Sequence, residues 1–184
     1  MHARIGKKKN FVMVTSALRY PHPGGHRRRA VIVLSRVDSR LIHGQVIEAW
    51  LPYLNVRRVV VADDEVAVDD FAKAAMGLAV PSSVEVMTER IVSLNFKALA
   101  ADAIRTMVLF RDVSAAVSGR ENGLPDGLLN LGNVHAAPGR SAVSRSVFLS
   151  ADERELLHDM SRHGMQIVIQ AVPSEKPQGL ASLS

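Results

Sequence analysis

The sequence contains no cysteine among its 184 residues. This excludes disulfide bridges, a thiol nucleophile and thiolate metal ligands, and it is consistent with a reducing compartment. Aromatic residues make up only 4% of the chain, so we expect an interior built from aliphatic side chains. No apolar run approaches the roughly 18–20 residues that a membrane-spanning helix needs. We therefore expect a soluble, cytoplasmic protein.

Acidic residues are absent from residues 1–29, which contain eight of the 23 lysines and arginines. From Ala30 onward the chain contains 15 basic residues and all 18 acidic ones, so this part of the chain is mildly acidic. The overall net charge of +5 therefore reflects the N-terminal segment. We predict that residues 1–29 form a basic, disordered extension. A nucleic-acid partner would depend on this extension alone, and we do not expect one.

From Ala30 onward, short runs rich in valine, isoleucine and leucine alternate with segments of helical length. The alternation is typical of βαβ units and predicts an α/β fold: a single domain with a mostly parallel central sheet flanked by helices. We place this domain at residues 30–173 and a flexible C-terminal tail at residues 174–184. The predicted strands are 30–34, 58–62, 84–87, 107–110, 128–131 and 165–171, with a short one at 147–149. The predicted helices are 45–54, 68–80, 89–94, 113–118 and 151–163.

The last predicted helix has the clearest boundaries. Ser150 followed by Glu153 forms the pattern of a capping box, in which each side chain bonds the backbone of the other. Gly164 follows as a stop signal. These residues predict a helix that begins at residue 151.

Reactive side chains are concentrated in the loop expected after the first strand, Ser35-Arg36-Val37-Asp38-Ser39-Arg40-Leu41-Ile42-His43-Gly44-Gln45-Val46. Ligands of open α/β sheets bind beyond the carboxyl ends of the strands. A neutral histidine can accept a phosphoryl group and release it later. The planar guanidinium of Arg40 suits phosphate oxygens, and Gly44 lets the backbone come close to an anion held at a helix start. The loop is therefore compatible with a phosphohistidine site.

The residues alone leave other interpretations open. A single histidine at a strand–helix junction is often a cap or a packing residue. Asp38 would equally cap the turn or pair with Arg36, and Gly44 would serve as an ordinary turn residue. His135, in a later loop, is compatible with closing a phosphate pocket or with simple solvation. Chemistry by itself does not choose between these interpretations.

A resemblance to a known family adds to this interpretation. The string from Arg36 to Val46, continuing to Trp50, resembles the opening of the mannose/fructose/sorbose family of phosphotransferase system (PTS) IIB components. Two later strings occur in the same order as in that family: Ala62-Asp63-Asp64-Glu65-Val66-Ala67 and Asn130-Leu131-Gly132-Asn133-Val134-His135. The resemblance covers roughly residues 31–173 and does not include the N-terminal extension.

The resemblance implies that His43 is the phosphorylated residue and that Arg40 assists the phosphate. From their positions in the loop, we assign phosphate-binding roles to Asp38, Gly44, Gln45 and Arg36. We expect no metal and no cofactor. No Walker A or Gly-x-Gly-x-x-Gly motif follows a strand, so the expected phosphoryl donor is a protein. Asp63, Asp64 and Glu65 could suggest magnesium ligation, but we prefer a capping and loop-ordering role.

The implied function is that of a phosphoryl carrier. It would accept phosphate from a IIA phosphohistidine and transfer it to a sugar during uptake through the membrane IIC/IID permease subunits, as a protein-N(pi)-phosphohistidine–sugar phosphotransferase. The expected location is cytoplasmic, peripherally associated with the permease. An alternative is a regulatory phosphohistidine module that reports phosphotransferase flux without sugar transport. The identity of the sugar and the formation of a homodimer are left open.

Overall fold

The computed structural model of the chain describes residues 32–180. The strands are β1 (Ile32–Asp38), β2 (Arg58–Ala62), β3 (Glu85–Glu89), β4 (Thr106–Phe110), β5 (Leu128–Asn133), β6 (Ser141–Ala142), β7 (Phe148–Leu149), β8 (Gln166–Ile169) and β9 (Gln178–Gly179). The helices are α1 (Leu51–Tyr53), which continues a π-helical segment (Gln45–Trp50), then α2 (Asp70–Ala79), α3 (Phe96–Ala101), α4 (Val113–Glu121) and α5 (Ala151–Arg162). Short 3₁₀ turns lie at Val66–Val68 and Ile91–Ser93.

The main sheet has the order β3-β2-β4-β1-β5-β8-β9. All of its neighbouring strands are parallel except β8 and β9, which pair antiparallel. The predicted α/β fold with a mostly parallel central sheet is therefore confirmed. β1 lies in the middle, between β4 and β5, so the loop that follows β1 emerges at the centre of the sheet's carboxyl edge.

Successive residues of the inner strands face opposite sides of the sheet and enter two separate cores. On β4, Val108 and Phe110 belong to one cluster, whereas Met107 and Leu109 belong to the other. The clusters are mainly aliphatic, as the low aromatic content predicts. Trp50, the only tryptophan, is fully buried in the second cluster. Helices thus cover both faces of the sheet, as is usual for parallel strands. Within residues 32–180, no helix is long and apolar enough to span a membrane.

β1 extends further than predicted. The sequence analysis ended this strand at residue 34, before Arg36 and Asp38. In the structure both residues belong to β1 and are fully buried. Their opposite charges lie 2.8 Å apart, and a paired charge can be accommodated where a single one cannot. The strand therefore continues to the point where the candidate loop begins.

Several helix boundaries also differ. α2 begins at Asp70 rather than at residue 68, because the side chain of Asp69 caps it by accepting a hydrogen bond from the Ala72 N–H. The helix predicted at 89–94 is wrong: β3 runs to Glu89, and a 3₁₀ turn follows. α3 was not predicted. By contrast, the predicted capping box of α5 is present in full.

The C-terminal boundary needs correction within the described residues. Residues 174–184 were expected to form a flexible tail, but Gln178–Gly179 pairs with β8 as β9. The Ala171 N–H also donates to the Glu175 side chain. The predicted extension 1–29, the first two residues of the predicted strand 30–34 and residues 181–184 lie outside the described residues.

Asp63 orders the loop after β2, as the sequence analysis preferred. Its Oδ1 accepts hydrogen bonds from the N–H groups of Glu65 at 3.1 Å and Val66 at 2.8 Å. The guanidinium of Arg111 donates hydrogen bonds to both carboxylate oxygens, at 2.6 and 2.9 Å. Burial alone would raise the pKa of Asp63, but these hydrogen bonds and the charge of Arg111 outweigh burial and hold the pKa below its usual value. The carboxylate is therefore an ionised part of the fold.

We expect Asp63→Asn to lower the free energy of unfolding at pH 7 by about 1–3 kcal/mol, because a buried acceptor of charge-assisted bonds is lost. Since the pKa of Asp63 is lower in the folded state than in the unfolded chain, its contribution is present above about pH 4 and is lost as the pH falls further. The difference between parent and variant should therefore shrink on acidification. Urea unfolding of both proteins at pH 7 and pH 3.5 measures this difference in the free energy of unfolding.

The matched control is Glu155→Gln, which removes an exposed carboxylate from an ion pair with Arg162. Exposed pairs contribute little, so its effect should stay within about 0.5 kcal/mol. A loss for Asp63→Asn that is as small as this control, or that grows on acidification, would contradict the role given to Asp63.

Candidate active site

A tight turn after β1 brings His43 back over the end of that strand. The turn is closed by hydrogen bonds from the Ser39 N–H to the Asn133 carbonyl at 2.8 Å and from the Leu41 N–H to the Asp38 carbonyl at 2.9 Å. Leu41 adopts a left-handed backbone with φ of 55°, which is unfavourable for leucine. Its side chain is buried in the second core cluster, and this burial holds the strained turn in place.

The imidazole of His43 contacts Asp38 through one ring nitrogen. Its Nε2 lies 2.8 Å from Oδ2 of Asp38, whose side chain is fully buried, while the side chain of His43 is 13% exposed. Since an ionised carboxylate only accepts hydrogen bonds, this contact assigns the ring proton to Nε2 and the lone pair to Nδ1. The N–H of Gln45 lies 3.4 Å from Nδ1. The partly exposed ring therefore presents Nδ1 as its nucleophilic atom.

Asp38 is held in its ionised form. Burial would raise the pKa of this carboxyl, but the hydrogen bond from His43 and the positive charge of Arg36 together lower the pKa below its usual value. Its second oxygen, Oδ1, accepts a hydrogen bond from the Arg40 N–H at 3.1 Å. Asp38 thus contacts the imidazole, Arg36 and the backbone of the turn, so it makes the pairing with Arg36 and the turn contact that the sequence analysis left open.

Arg36 does not occupy the position predicted for it. Its side chain is fully buried, and its guanidinium donates to Asp38 and to the Asn130 side chain. It also donates to the Gln170 carbonyl at 3.2 Å. A guanidinium without solvent exposure cannot take phosphate from a partner, so direct phosphate binding by Arg36 does not fit the structure.

Arg40 is the exposed cation beside His43. Its Nη2 lies 3.4 Å from Oε1 of Gln45. The amide orientation of Asn133 that satisfies its neighbours turns the oxygen toward Nε of Arg40, at 3.2 Å, and Nε2 of His135, at 3.3 Å. In this orientation the amide nitrogen donates to the Ser146 carbonyl at 3.2 Å. Arg40 is therefore held by contacts with Gln45 and Asn133 and remains exposed.

The remaining predicted residues lie around the same point. Gly44 is exposed and precedes the π-helical segment, and a Cβ there would approach only Oε1 of Glu48, at 4.0 Å. Steric crowding therefore does not require glycine at this position. His135 is exposed, and its N–H donates to the Ser39 side chain. The structure thus brings His43, Arg40, Asp38, Gly44 and Gln45 together and places Arg36 beneath them.

Sequence reasoning missed the contribution of β5. Asn130, Gly132 and Asn133 contact the site from this neighbouring strand. The string Asn130–His135 was noted as a family match, but only His135 was considered for a role at the site. The available signal was the pair of asparagines, Asn130 and Asn133, on a strand that is otherwise apolar. Buried amides must find hydrogen-bond partners, so these residues indicated polar contacts inside the sheet.

A cleft of about 590 Å³ opens beside Gln45. Its other walls are the segment from Ser144 to Ser146 and residues 169–178, with Arg145 and Lys176 as cations. Gln45, whose N–H contacts Nδ1 of His43, therefore connects the candidate loop to this cleft. In residues 32–180, no cluster of three or more His, Asp or Glu side chains is arranged to hold a metal ion.

Comparison with known proteins identifies relatives of this chain. An "N-acetylgalactosamine-specific phosphotransferase enzyme IIB component 2" of Escherichia coli (strain K12) is 29% identical over 155 residues, covering 83% of this chain and 98% of that protein. A crystal structure of manxB from Thermoanaerobacter tengcongensis matches with a TM-score of 0.74 at 30% identity, covering 82% of this chain and 93% of the other.

The "PTS system mannose-specific EIIAB component" of Escherichia coli (strain K12) is 27% identical over 157 residues, and the match covers 83% of this chain but only 48% of that protein. The model of the family described as "PTS system sorbose subfamily IIB component" matches residues 32–183. The chain, with its histidine loop at the centre of a parallel sheet, belongs to the sorbose subfamily of PTS IIB components.

Proposed function

We propose that this protein is a phosphoryl carrier that receives phosphate on Nδ1 of His43 and passes it to a sugar during uptake. The observation that carries the proposal is the 2.8 Å contact between Nε2 of His43 and the buried carboxylate of Asp38. This contact occupies one ring nitrogen and leaves Nδ1 for phosphorus. Because Nδ1 is the N(pi) position, the proposed activity is that of a protein-N(pi)-phosphohistidine–sugar phosphotransferase.

Phosphoryl acceptance starts with the lone pair of Nδ1, which attacks the phosphorus of a phosphohistidine on the IIA donor. The new N–P bond forms as the donor's N–P bond breaks, and the donor imidazole keeps the electron pair of the broken bond. The ring of His43 becomes positively charged while its proton stays on Nε2. Asp38 stabilises this charge, as a carboxylate does beside other catalytic imidazoles.

Transfer onward reverses the roles. A sugar hydroxyl oxygen attacks the phosphorus, the N–P bond breaks, and Nδ1 recovers its lone pair, while the hydroxyl proton passes to a base at the permease's sugar site. Arg40 is the residue we assign to the phosphate oxygens in both directions, since it is exposed and its guanidinium contacts Gln45, whose N–H lies 3.4 Å from Nδ1. The backbone of Gly44 and the N–H of Gln45 support the same oxygens. Asp38 contacts Nε2 of His43, on the side of the ring away from the phosphate, and Arg36 contacts Asp38.

The proposed partners follow from the family. We infer a IIA protein as phosphoryl donor and membrane IIC/IID subunits with bound sugar as acceptor. A relative named as an EIIAB component supports a IIA partner. The proposed location is cytoplasmic, with peripheral attachment to the permease, and a homodimer is compatible with the proposal. The relatives carry the names of different sugars, so the proposal names a sugar as the acceptor but does not say which sugar.

We also propose that residues 1–29 are dispensable for the chemistry, because the family match begins at residue 32. Deleting them should leave the thermal midpoint and the rate of phosphorylation unchanged. Differential scanning fluorimetry and a phosphorylation time course on the full and shortened chains measure both. A shortened chain that unfolds or loses phosphoryl acceptance would show that the extension contributes to the domain.

The direct test is phosphorylation by purified general PTS proteins, phosphoenolpyruvate and a cognate IIA protein, followed by peptide mapping. We expect one phosphate on His43, and ³¹P and ¹⁵N NMR should place it on Nδ1. Adding permease vesicles and the transported sugar should then discharge it to sugar phosphate. Phosphate on another residue, or a phosphoprotein that no sugar discharges, would contradict the proposal.

A further inference from the structure

Arg36 is a fully buried arginine on the central strand of the sheet. Burying a charge is costly unless it is paired and fully hydrogen-bonded. The proposed chemistry uses phosphate contacts that this buried guanidinium cannot make. Its surroundings therefore indicate another role.

The guanidinium is tied to the carboxylate that contacts His43. Both Nε and Nη2 of Arg36 donate to Oδ2 of Asp38, at 3.1 and 2.8 Å. This is the same oxygen that lies 2.8 Å from Nε2 of His43. Two donors from a planar fork fix the direction of the carboxylate as well as its position. The orientation of the imidazole thus depends on the orientation of Arg36.

The far side of the guanidinium is anchored to two other strands. Nη1 donates to the Asn130 side chain on β5, which lies opposite Arg36 in the strand register. Nη1 also donates to the Gln170 carbonyl at 3.2 Å, just after β8. Asn130 donates to the same carbonyl at 3.0 Å. A three-strand network therefore determines where the fork points.

Two residues close the space around the guanidinium. The ring of Trp50 lies 5.5 Å from its central carbon, and the indole N–H is fixed by the Ala171 carbonyl at 2.9 Å. At Gly132, a Cβ would overlap the guanidinium. Glycine is therefore required at this position for steric reasons, and the fork has no room to tilt.

We propose that Arg36 is a positioning residue, which locks the Asp38 carboxylate against Nε2 of His43 and thereby presents Nδ1 as the phosphoryl acceptor. This inference rests on the proposed function of His43. A buried carboxylate that stays ionised can only accept hydrogen bonds, so the neutral ring must keep its hydrogen on Nε2. The positive charge of Arg36 is one of the causes that lower the pKa of Asp38. Without the fork, the carboxylate could turn or take up a proton, and both ring tautomers would be populated.

The test compares Arg36→Lys, which keeps the charge but loses the fork, with Gly132→Ala, which displaces the guanidinium without altering its chemistry. Histidine ¹⁵N NMR of the unphosphorylated protein reports the tautomer of His43. We expect the hydrogen on Nε2 in the parent and a mixture of tautomers in both variants. The maximal rate of phosphoryl acceptance should fall roughly 10- to 100-fold, while KM for the IIA donor stays within about twofold because the docking surface is unchanged.

Arg58→Lys is the matched control. Arg58 is a buried arginine that pairs with Glu85 and Asp102. It lies at the amino end of β2, whereas the candidate site lies beyond the carboxyl end of β1. This variant should leave the tautomer of His43 unchanged. If neither Arg36→Lys nor Gly132→Ala folds, the parent spectrum still decides, because hydrogen on Nδ1 in the parent overturns the proposal. Variants that fold and keep the parent tautomer also overturn it. The spectrum needs no phosphoryl donor, so this failure is distinguishable from failure of the proposed function.

Discussion

Replacing His43 with glutamine is expected to abolish phosphoryl labelling. The amide of glutamine can still hydrogen-bond with Asp38, but it has no nucleophilic nitrogen to form an N–P bond. Because the side chain of His43 is partly exposed and lies at the edge of the fold, the variant should remain folded. Labelling with ³²P from phosphoenolpyruvate, through the general PTS proteins and a IIA donor, measures the effect. The parent's label should be acid-labile and alkali-stable, as expected for a phosphoramidate.

His163→Gln is the matched control. His163 is exposed at the C-terminal end of α5, where its ring bonds the backbone carbonyl of Asp159. This variant should label like the parent, because the histidine lies outside the loop after β1. Equal labelling of the His43 variant and the parent would contradict the central proposal. Loss of label in both variants would point to a damaged fold, which circular dichroism would detect.

Replacing Arg40 with alanine is expected to slow phosphoryl transfer by roughly 10²- to 10³-fold, or about 3–4 kcal/mol of transition-state stabilisation. The moving phosphoryl group carries negative charge on its peripheral oxygens, and the exposed guanidinium of Arg40 is the cation we assign to them. Stability should change by less than about 0.5 kcal/mol, because Arg40 is on the surface. Arg40→Lys should restore only part of the rate, since an ammonium lacks the planar fork.

Quenched-flow measurement of single-turnover phosphoryl transfer gives these rates directly. Arg162→Ala is the control, since Arg162 is an exposed residue at the end of α5 that forms surface ion pairs. It should transfer phosphate at the parent's rate. An unchanged rate for Arg40→Ala would assign the phosphate to another cation. Arg140 is an unsuitable replacement because it is held by Glu153 and the His135 carbonyl, so Arg145 or Lys176 in the neighbouring cleft would be tested next.

Local patterns predicted much of the fold, because short-range physics controls them. The β-branched runs are the inner strands, and the capping box at Ser150 and Glu153 starts α5 as predicted. The pattern failed where a tertiary partner outweighed local preference. The segment predicted as helix 89–94 is partly strand, because pairing with β2 carries β3 as far as Glu89. The end of β1 was missed because Arg36 and Asp38 are accommodated inside the sheet by pairing with each other and by hydrogen bonds from Arg36 to Asn130 and Gln170, far away in sequence.

The sequence by itself determined which loop is the candidate site and which family the chain resembles. The string around His43 and Arg40 indicated a phosphohistidine loop, and the alternation of strands and helices placed that loop at the carboxyl edge of a parallel sheet. Both inferences need only the order of neighbouring residues. They also led to the family that the comparisons then identified.

Only the tertiary structure decided which contacts the charged residues of the site make. Arg36 and Asp38 are two residues apart on one strand, and sequence reasoning assigned both to phosphate. The fold instead joins Arg36 to Asn130, 94 residues away, and to Gln170, 134 residues away. These contacts exist because β5 lies beside β1 and β8 lies beside β5 in the sheet. Strand neighbours are set by packing of the whole chain, so no local pattern could show that Arg36 is buried and anchored to residues of β5 and of the segment after β8.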